Sequence, residues 1–553
     1  MKKYFLLLVS LILAITLRVY QLDKVPVELF GDELDVGYQA YSILKTGQDL
    51  YGQKLPVFFH SLSEYRAPLF LYSAVPTIGL FGLNEWGVRI PAAFWGILGI
   101  GGLFFLAKHL FGEKIGLFAA LILTISPWHI HFSRAGFEVT MLLAFLIWAT
   151  FLFLKGVKNY LWFYFSAILF ALTPYIYSTA TLFMPLLVLM LVYLYRNELF
   201  KNLPKYLLAG LIFLVVLAPY GSNWLSGTAG ARFNLISIFS EQSLKDQVQL
   251  AQQNENLPFN LEKVFHNKPV VYLQVFTLNY LRAFSPEFLF LNGDPNFRQS
   301  VHGMGQFYFY ELIPLIAGIW FLLYKKEKEK WVVFGWLLIS PIPAALTFDG
   351  GFHATRNFLM LAPLSILIGW GINDLLAKIN QGSFRRYLAL GLIILGIVNF
   401  TFFLHRYFEH YPKESWRAWN FGFKEPMQYL AAKEDQYSQI YINNSYEPSL
   451  IRFLFWTKYD PNKFHQQFSG DKVIQDITTN FDGFALEKKY YFGKFAGPFE
   501  NNLKNGQLFL ASSREDVTNP KILDNPNLRL VKTIRSPSGE VIFYLVTANP
   551  NEN

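Results

Sequence analysis

Three carboxylates, Asp32, Glu33 and Asp35, fall within four consecutive positions of FGDELDVGYQAY, residues 30–41, shortly after a long apolar N-terminal run. Carboxylates held beside a membrane are costly unless hydrated, paired or used. One that is used can serve as a general base. The stretch DELDVGYQAYSILKTG reads as a short amphipathic helix, with Leu34, Tyr38, Tyr41 and Leu44 on one side, and carboxylates in a first turn also complement the helix dipole. Both readings stay open on these residues.

Other clusters carry basic groups. SEYRAPLF holds Glu64 and Arg66 before an apolar run; they read either as a surface ion pair or with Arg66 positioning Asp32 or binding a phosphate through its planar fork. HIHFSRAGFE, residues 129–138, holds His129, His131, Arg134 and Glu138. A His-x-His with a distant Glu has no metal-site spacing, which favours a structural role, and Arg134 with Glu138 has the i,i+4 spacing of a helix-end pair. ARFNLISIF contributes Arg232, and GGFHATRNF places His353 and Arg356 at the end of an apolar span. There an arginine either snorkels to the interface or binds an anionic head group.

The elements that must position these groups are membrane helices. Of 553 residues 53% are hydrophobic and 16% charged, the balance of a polytopic membrane protein. There is no cysteine, so disulfide and thiolate chemistry are excluded. Eleven stretches are read as spans: 4–22, 90–107, 115–128, 139–154, 160–176, 180–195, 206–220, 306–324, 331–346, 357–376 and 387–404. The first is read as a retained span, because no small-x-small cleavage site follows it.

Lys and Arg, the source of the +9 net charge, gather in alternate connections such as Lys108 with Lys114 and KKEKEK at 325–330. By the positive-inside rule those connections are cytoplasmic. Loops 23–89, 129–138, 221–305 and 347–356, and everything after about 405, then face outward, provided that Ala67–Leu83 lies along the outer surface as an interfacial helix. All the clusters above share that outer face, as an active site assembled from distant segments requires. The expected organisation is a membrane domain over 1–405, with outward loops 23–89 and 221–305, and a soluble extracytoplasmic α/β domain over 406–553. In the latter SQIYINNS, KYYFGKF, GQLFLASS and EVIFYLVT read as strands, KEPMQYLAAK and PSLIRFLFWTKY as helices, and SPSG as the turn of a final hairpin.

No phosphate-binding loop, dinucleotide fingerprint, HExxH or G-x-S-x-G is present. Taken in order, the pieces resemble the membrane-embedded C-type (GT-C) glycosyltransferases, in the branch of protein O-mannosyltransferases and aminoarabinose transferases. The likeness rests on a first span, an outward Asp-Glu loop, the acidic-basic-Pro-Leu start of an interfacial helix, and a short outward loop with Arg and an acidic residue. FSPEFLFLNGDPNFR, HGMGQFY and PIPAALTFDGGFHATR extend it.

The resemblance implies an inverting transfer of sugar from a polyprenyl-phosphate carrier to a lipid, glycan or protein acceptor outside the cytoplasmic membrane, with no nucleic-acid partner. It casts Asp32 as catalytic base with Glu33 beside it. Glu64 and Arg66 match its acidic-basic pair, and Glu138 stands where the family commonly has Asp. Arg134, Arg232 and Arg356 are candidates for the carrier phosphate, with His353 beside the last. Tyr65 between Glu64 and Arg66, and Ala67 in place of a first proline, depart from the pattern. A divalent ion near Glu64 is admitted but not required. The rival class is a secondary transporter or lipid flippase, which should carry ionisable residues at mid-membrane or repeated halves. The spans are nearly free of such residues, and no halves repeat. A non-catalytic envelope scaffold is the third reading, and it would tolerate loss of Asp32.

Overall fold

A computed structural model describes residues 2–61, 65–225, 236–240, 242–254, 261–378, 382–467 and 481–549. Glu64 and Arg232 lie outside the described residues. Where lipid replaces water, backbone polar groups must pair within their own segment, and the apolar stretches accordingly fold as helices. Each of the eleven stretches contains one. Five helices, Glu85–Phe111, Val139–Gly156, Leu203–Asn223, Ala354–Ala377 and Arg385–Ser415, are long and apolar enough to cross a membrane. This marks a multi-pass membrane protein. Of the remaining stretches, Ala180–Leu194 and Phe309–Leu323 are among those forming shorter apolar helices.

The helices that bear on the site are α1 (Lys2–Val19), α2 (Gly31–Thr46), α3 (Pro68–Phe81), α4 (Glu85–Phe111), α5 (Glu113–Ile125), α6 (Pro127–Phe132) and α7 (Val139–Gly156). α3 has 14 residues, short of the roughly 20 that a span needs. The chain forms two compact units. One comprises Met1–Tyr20, Val57–Phe70 and Ala92–Arg406; the other comprises Gln21–Pro56, Leu71–Pro91 and Tyr407–Asn553. Most of the 23–89 segment, expected with the membrane domain, therefore clusters with the C-terminal residues.

Within the first unit, helix Leu361–Lys378 packs against both α5 and Leu312–Leu323. Glycines allow the second contact: a Cβ on Gly318 would lie 1.9 Å from the Leu367 carbonyl oxygen, and one on Gly371 1.8 Å from that of Pro314. Membrane helices associate through such close backbone approach, since apolar burial gives them no preference for each other over lipid. A two-residue hairpin, β1 (Phe59–His60) with β2 (Tyr65–Arg66), also belongs here.

The second unit is built on a six-stranded sheet in the order β4-β5-β3-β6-β8-β7. Its strands are β3 (Gln439–Asn443), β4 (Phe481–Leu486), β5 (Tyr490–Phe495), β6 (Gln507–Ser512), β7 (Leu528–Arg535) and β8 (Val541–Ala548). β3 runs parallel to β5 and β6, while the other pairings are antiparallel. The four strand segments and both helices read from the sequence are present, at Lys424–Lys433 and Ser449–Trp456 for the helices, and β7 and β8 form the expected hairpin. β4 was not anticipated. Its FDGFAL pairs Gly483 with Gly493 of β5, and interior glycines weaken a strand signature. α2 lies against helix Ser449–Trp456, where a Cβ on Gly37 would sit 2.4 Å from the Phe455 ring.

Candidate active site

The acidic stretch opens α2. Glu33 is in its first turn and accepts from the Phe30 N–H at 3.0 Å, closing the helix start. The same carboxylate takes the Arg89 Nε–H at 2.9 Å and one terminal N–H at 3.4 Å. Arg89 gives its remaining donors to the carbonyls of Leu22 at 3.0 Å, Pro26 at 2.8 Å and Glu28 at 2.8 Å. Every guanidinium N–H is thus engaged, and the pair is fully buried. A second clamp comes from Glu28, whose carboxylate accepts the N–H groups of Gly422 at 2.6 Å, Phe423 at 3.2 Å and Lys424 at 2.8 Å. Lys424 in turn pairs with Glu85. Burial pushes the Glu28 carboxyl up to about 7, against the opposing pull of those N–H groups.

Within this frame Asp32 is half-buried while Glu33 and Asp35 are buried. Of the helix side expected to be apolar, Leu34 and Tyr38 are buried, whereas Leu44 is exposed. The first turn of α2 is consequently held from several directions, and Asp32 sits at the positive end of the helix dipole.

In the first unit, Arg66 on β2 is buried and pairs with Glu138 at 3.6 Å. They lie in a pocket whose lining includes Phe58, Tyr65, Tyr177, Ser178 and Tyr220. The Tyr220 hydroxyl is 2.7 Å from that of Thr181, and its ring lies 5.5 Å from Phe58. An arginine backed by a carboxylate and flanked by phenols can hold a phosphate while its approach stays partly apolar.

The HIHFSRAGFE segment is not an exposed loop. Its first residues belong to α6, and both histidines are buried. His129 Nδ1 lies 2.6 Å from an Arg18 terminal nitrogen, and His131 Nε2 is 2.7 Å from the Arg298 carbonyl oxygen, so both are held inside the fold. Residues 133–138 are not helical, so the i,i+4 geometry expected of Arg134 and Glu138 does not apply. Arg134 is fully buried and donates to the Leu17 carbonyl at 2.7 Å, tying this turn to the end of α1.

His353 and Arg356 border a different region. His353 lines a cavity of about 230 Å³ together with Asp294, Gln299, Arg282 and Asp349. Asp294 accepts the Ala354 N–H at 2.7 Å, and burial raises its carboxyl to about 6. Arg356 turns back to Asp349 and to the Thr347 hydroxyl, the latter at 2.7 Å. Among the described residues no group of three or more His, Asp or Glu side chains is arranged to hold a metal ion.

Arg89, Glu28, Tyr177 and Tyr220 were missed from the sequence. Arg89 alone left a signal, as a lone cation entering an apolar helix, which must find a partner.

Residues 65–222 match the family described as dolichyl-phosphate-mannose-protein mannosyltransferase. No match to the sequence is found among curated proteins. Among solved structures, ArnT from Cupriavidus metallidurans bound to undecaprenyl phosphate is similar at 13% identity and a TM-score of 0.53, over 99% of this chain and 98% of that one. The oligosaccharyltransferase AglB from Archaeoglobus fulgidus, in complex with an inhibitory peptide and a dolichol-phosphate, is similar at 12% identity and a TM-score of 0.50, over 82% of this chain and 64% of that one. The two are GT-C glycosyltransferases that differ in length, yet each aligns with most of this chain. The chain has the fold of the C-type membrane glycosyltransferases.

Proposed function

We propose that the protein transfers a hexosyl or pentosyl group from a polyprenyl-phosphate-linked sugar to an acceptor on the outer face of the cytoplasmic membrane, with inversion. The observation that carries this reading is the Arg89–Glu33 clamp, which fixes the first turn of α2 around Asp32. A lipid phosphate is already a good leaving group. Catalysis then needs a base for the acceptor's hydroxyl or amine, and cations for the departing phosphate. Asp32 is the proposed base, while Glu33, expected beside it in the chemistry, is proposed instead as the residue that positions it.

For the carrier phosphate, Arg66 with Glu138 behind it is favoured over Arg134, which is fully buried and gives one terminal N–H to the Leu17 carbonyl at the end of α1. Arg356 and His353 are proposed to act from the 294–299 side, and Arg232 and Glu64 keep the roles that the resemblance implies. The acceptor's proton passes to Asp32, the bond from the anomeric carbon to the acceptor forms, and the bond to the phosphate oxygen breaks. No step requires a metal. The membrane part over 1–405, the outward C-terminal part over 406–553 and eleven crossings belong to the same proposal.

The test is transfer of labelled sugar in membranes carrying the protein, with polyprenyl-phosphate donors compared against nucleotide sugars. Transfer from the lipid donors alone, giving product of inverted anomeric configuration, is expected. If no lipid donor supports transfer while labelled lipid crosses the bilayer, the transporter reading replaces this one.

A further inference from the structure

The second unit contains a cavity of about 360 Å³ that the proposed chemistry does not use, lined by Glu434, Tyr459, Asp460, Lys463, Glu487 and Tyr490 among others. Its size falls at the lower end of small-molecule sites, roughly 300–1,000 Å³. Polar groups on its walls are held in fixed orientations. The Tyr459 hydroxyl donates to Glu487 at 2.7 Å, the Tyr490 hydroxyl donates to Glu434, and Lys463 lies 3.7 Å from Glu487. Asp460 accepts from the Asn462 N–H at 2.9 Å.

The walls also carry strained backbone. Among the described residues six non-glycines have positive φ, and three of them, Lys458, Glu487 and Lys488, line this cavity or adjoin its lining residues. Glu487 and Lys488 are the first two of the three residues connecting β4 to β5, positions where asparagine or glycine would fit without strain. Strain of this kind persists where the surroundings over-determine it, often at a binding site.

The chemistry of the lining restricts the occupant. Three carboxylates repel an anion, and Lys463 and Lys489 oppose a cation. The polar walls offer little to an apolar ligand. Fixed carboxylate acceptors beside phenol and ammonium donors suit an uncharged ligand whose hydroxyls both donate and accept.

We infer that this cavity binds a neutral glycan, which is the acceptor or its extension. The assignment to the acceptor rests on the proposed glycosyl transfer, whereas the binding itself does not. One contact ties the cavity to the catalytic helix within the same unit: the Tyr38 hydroxyl of α2 donates to the Tyr459 carbonyl at 2.9 Å. Tyr38 is six residues along α2 from Asp32, about 9 Å of helix rise. A glycan of more than one ring anchored at Tyr459 has the reach to return toward the start of α2.

The experiment is binding of the full chain in detergent to an array of neutral oligosaccharides of two to six sugars, for wild type, the double variant Tyr459→Phe/Glu487→Gln, and Lys463→Ala. Lys463 is 60% exposed, so its removal should not affect folding. Wild type is expected to bind one class of neutral glycans, the double variant at least about tenfold more weakly and Lys463→Ala severalfold more weakly, with the thermal midpoint of Lys463→Ala unchanged. In transfer assays the acceptor KM should rise with kcat and the donor KM unmoved.

Binding retained in both variants overturns the inference, as does a wild type that binds no neutral glycan. Glycan binding that depends on these residues, without transfer from any lipid donor, would instead refute the proposed function and leave the cavity assignment standing.

Discussion

Arg89 Nε lies 2.9 Å from the Glu33 carboxylate, with both side chains buried and the remaining arginine donors spread over the 22–28 backbone. The pair joins the start of α4 to the start of α2, the turn that carries Asp32.

Removing one member of a buried pair strands the other's charge, at about 3–5 kcal/mol. Arg89→Ala should therefore lower the thermal midpoint in detergent by many degrees and abolish transfer. The double variant Arg89→Met/Glu33→Leu, which strands no charge, should recover much of the midpoint. Equal midpoints for wild type and Arg89→Ala would show that the clamp contributes nothing.

Arg66 and Glu138 form the polar centre of an aromatic pocket, and a planar fork holds phosphate oxygens in a way that an ammonium does not. Arg66→Lys should raise the donor KM about tenfold and Arg66→Ala about a hundredfold, as expected for one and then both of its charged hydrogen bonds. Steady-state transfer at varied donor concentration checks this. A change in the acceptor KM alone would place the phosphate elsewhere.

The Glu28 carboxyl, raised by burial to about 7 from its ordinary value near 4.5, gives a stability profile of definite sign. Between those values the folded state binds more proton than the unfolded one, so stability falls as pH rises through this window and levels off above about 7. Glu28→Gln should flatten that slope. Melting curves of the purified protein from pH 5 to 8 measure it, and a wild-type midpoint rising across the window would reverse the assignment.

Topology is tested by reporter fusions. One after Lys114 should report a cytoplasmic location and one after His410 an external one. The opposite pair would mean that α3 crosses the membrane and that the acidic cluster and the later loops lie on different sides.

What the sequence made legible follows the range of each interaction. The apolar runs, the start of α2 and the β7–β8 hairpin depend on neighbours a few residues apart, and periodicity and turn residues expose them. The Arg89–Glu33 pair joins groups 56 residues apart, and the His129 contact with Arg18 spans 111. No local pattern announces such partners, so the HIHFSRAGFE segment reads as a loop while its histidines are buried, His129 against Arg18 of α1 and His131 against the Arg298 carbonyl. A carboxylate such as Glu33 beside a membrane must be hydrated, paired or used, but nothing local to it names Arg89 as the partner. The grouping of 21–56 with the C-terminal residues was hidden for the same reason, since Glu28 meets Gly422 across 394 positions.

The central claim is that Asp32 takes the acceptor's proton in transfer from a polyprenyl-phosphate sugar. The most direct measurement is transfer of labelled sugar by purified wild type and Asp32→Asn at saturating donor and acceptor, with melting curves for both. The account predicts a kcat reduced by roughly 10²–10⁴ in the variant, with the midpoint unchanged. Equal kcat in the two proteins would contradict it and remove Asp32 from the chemistry.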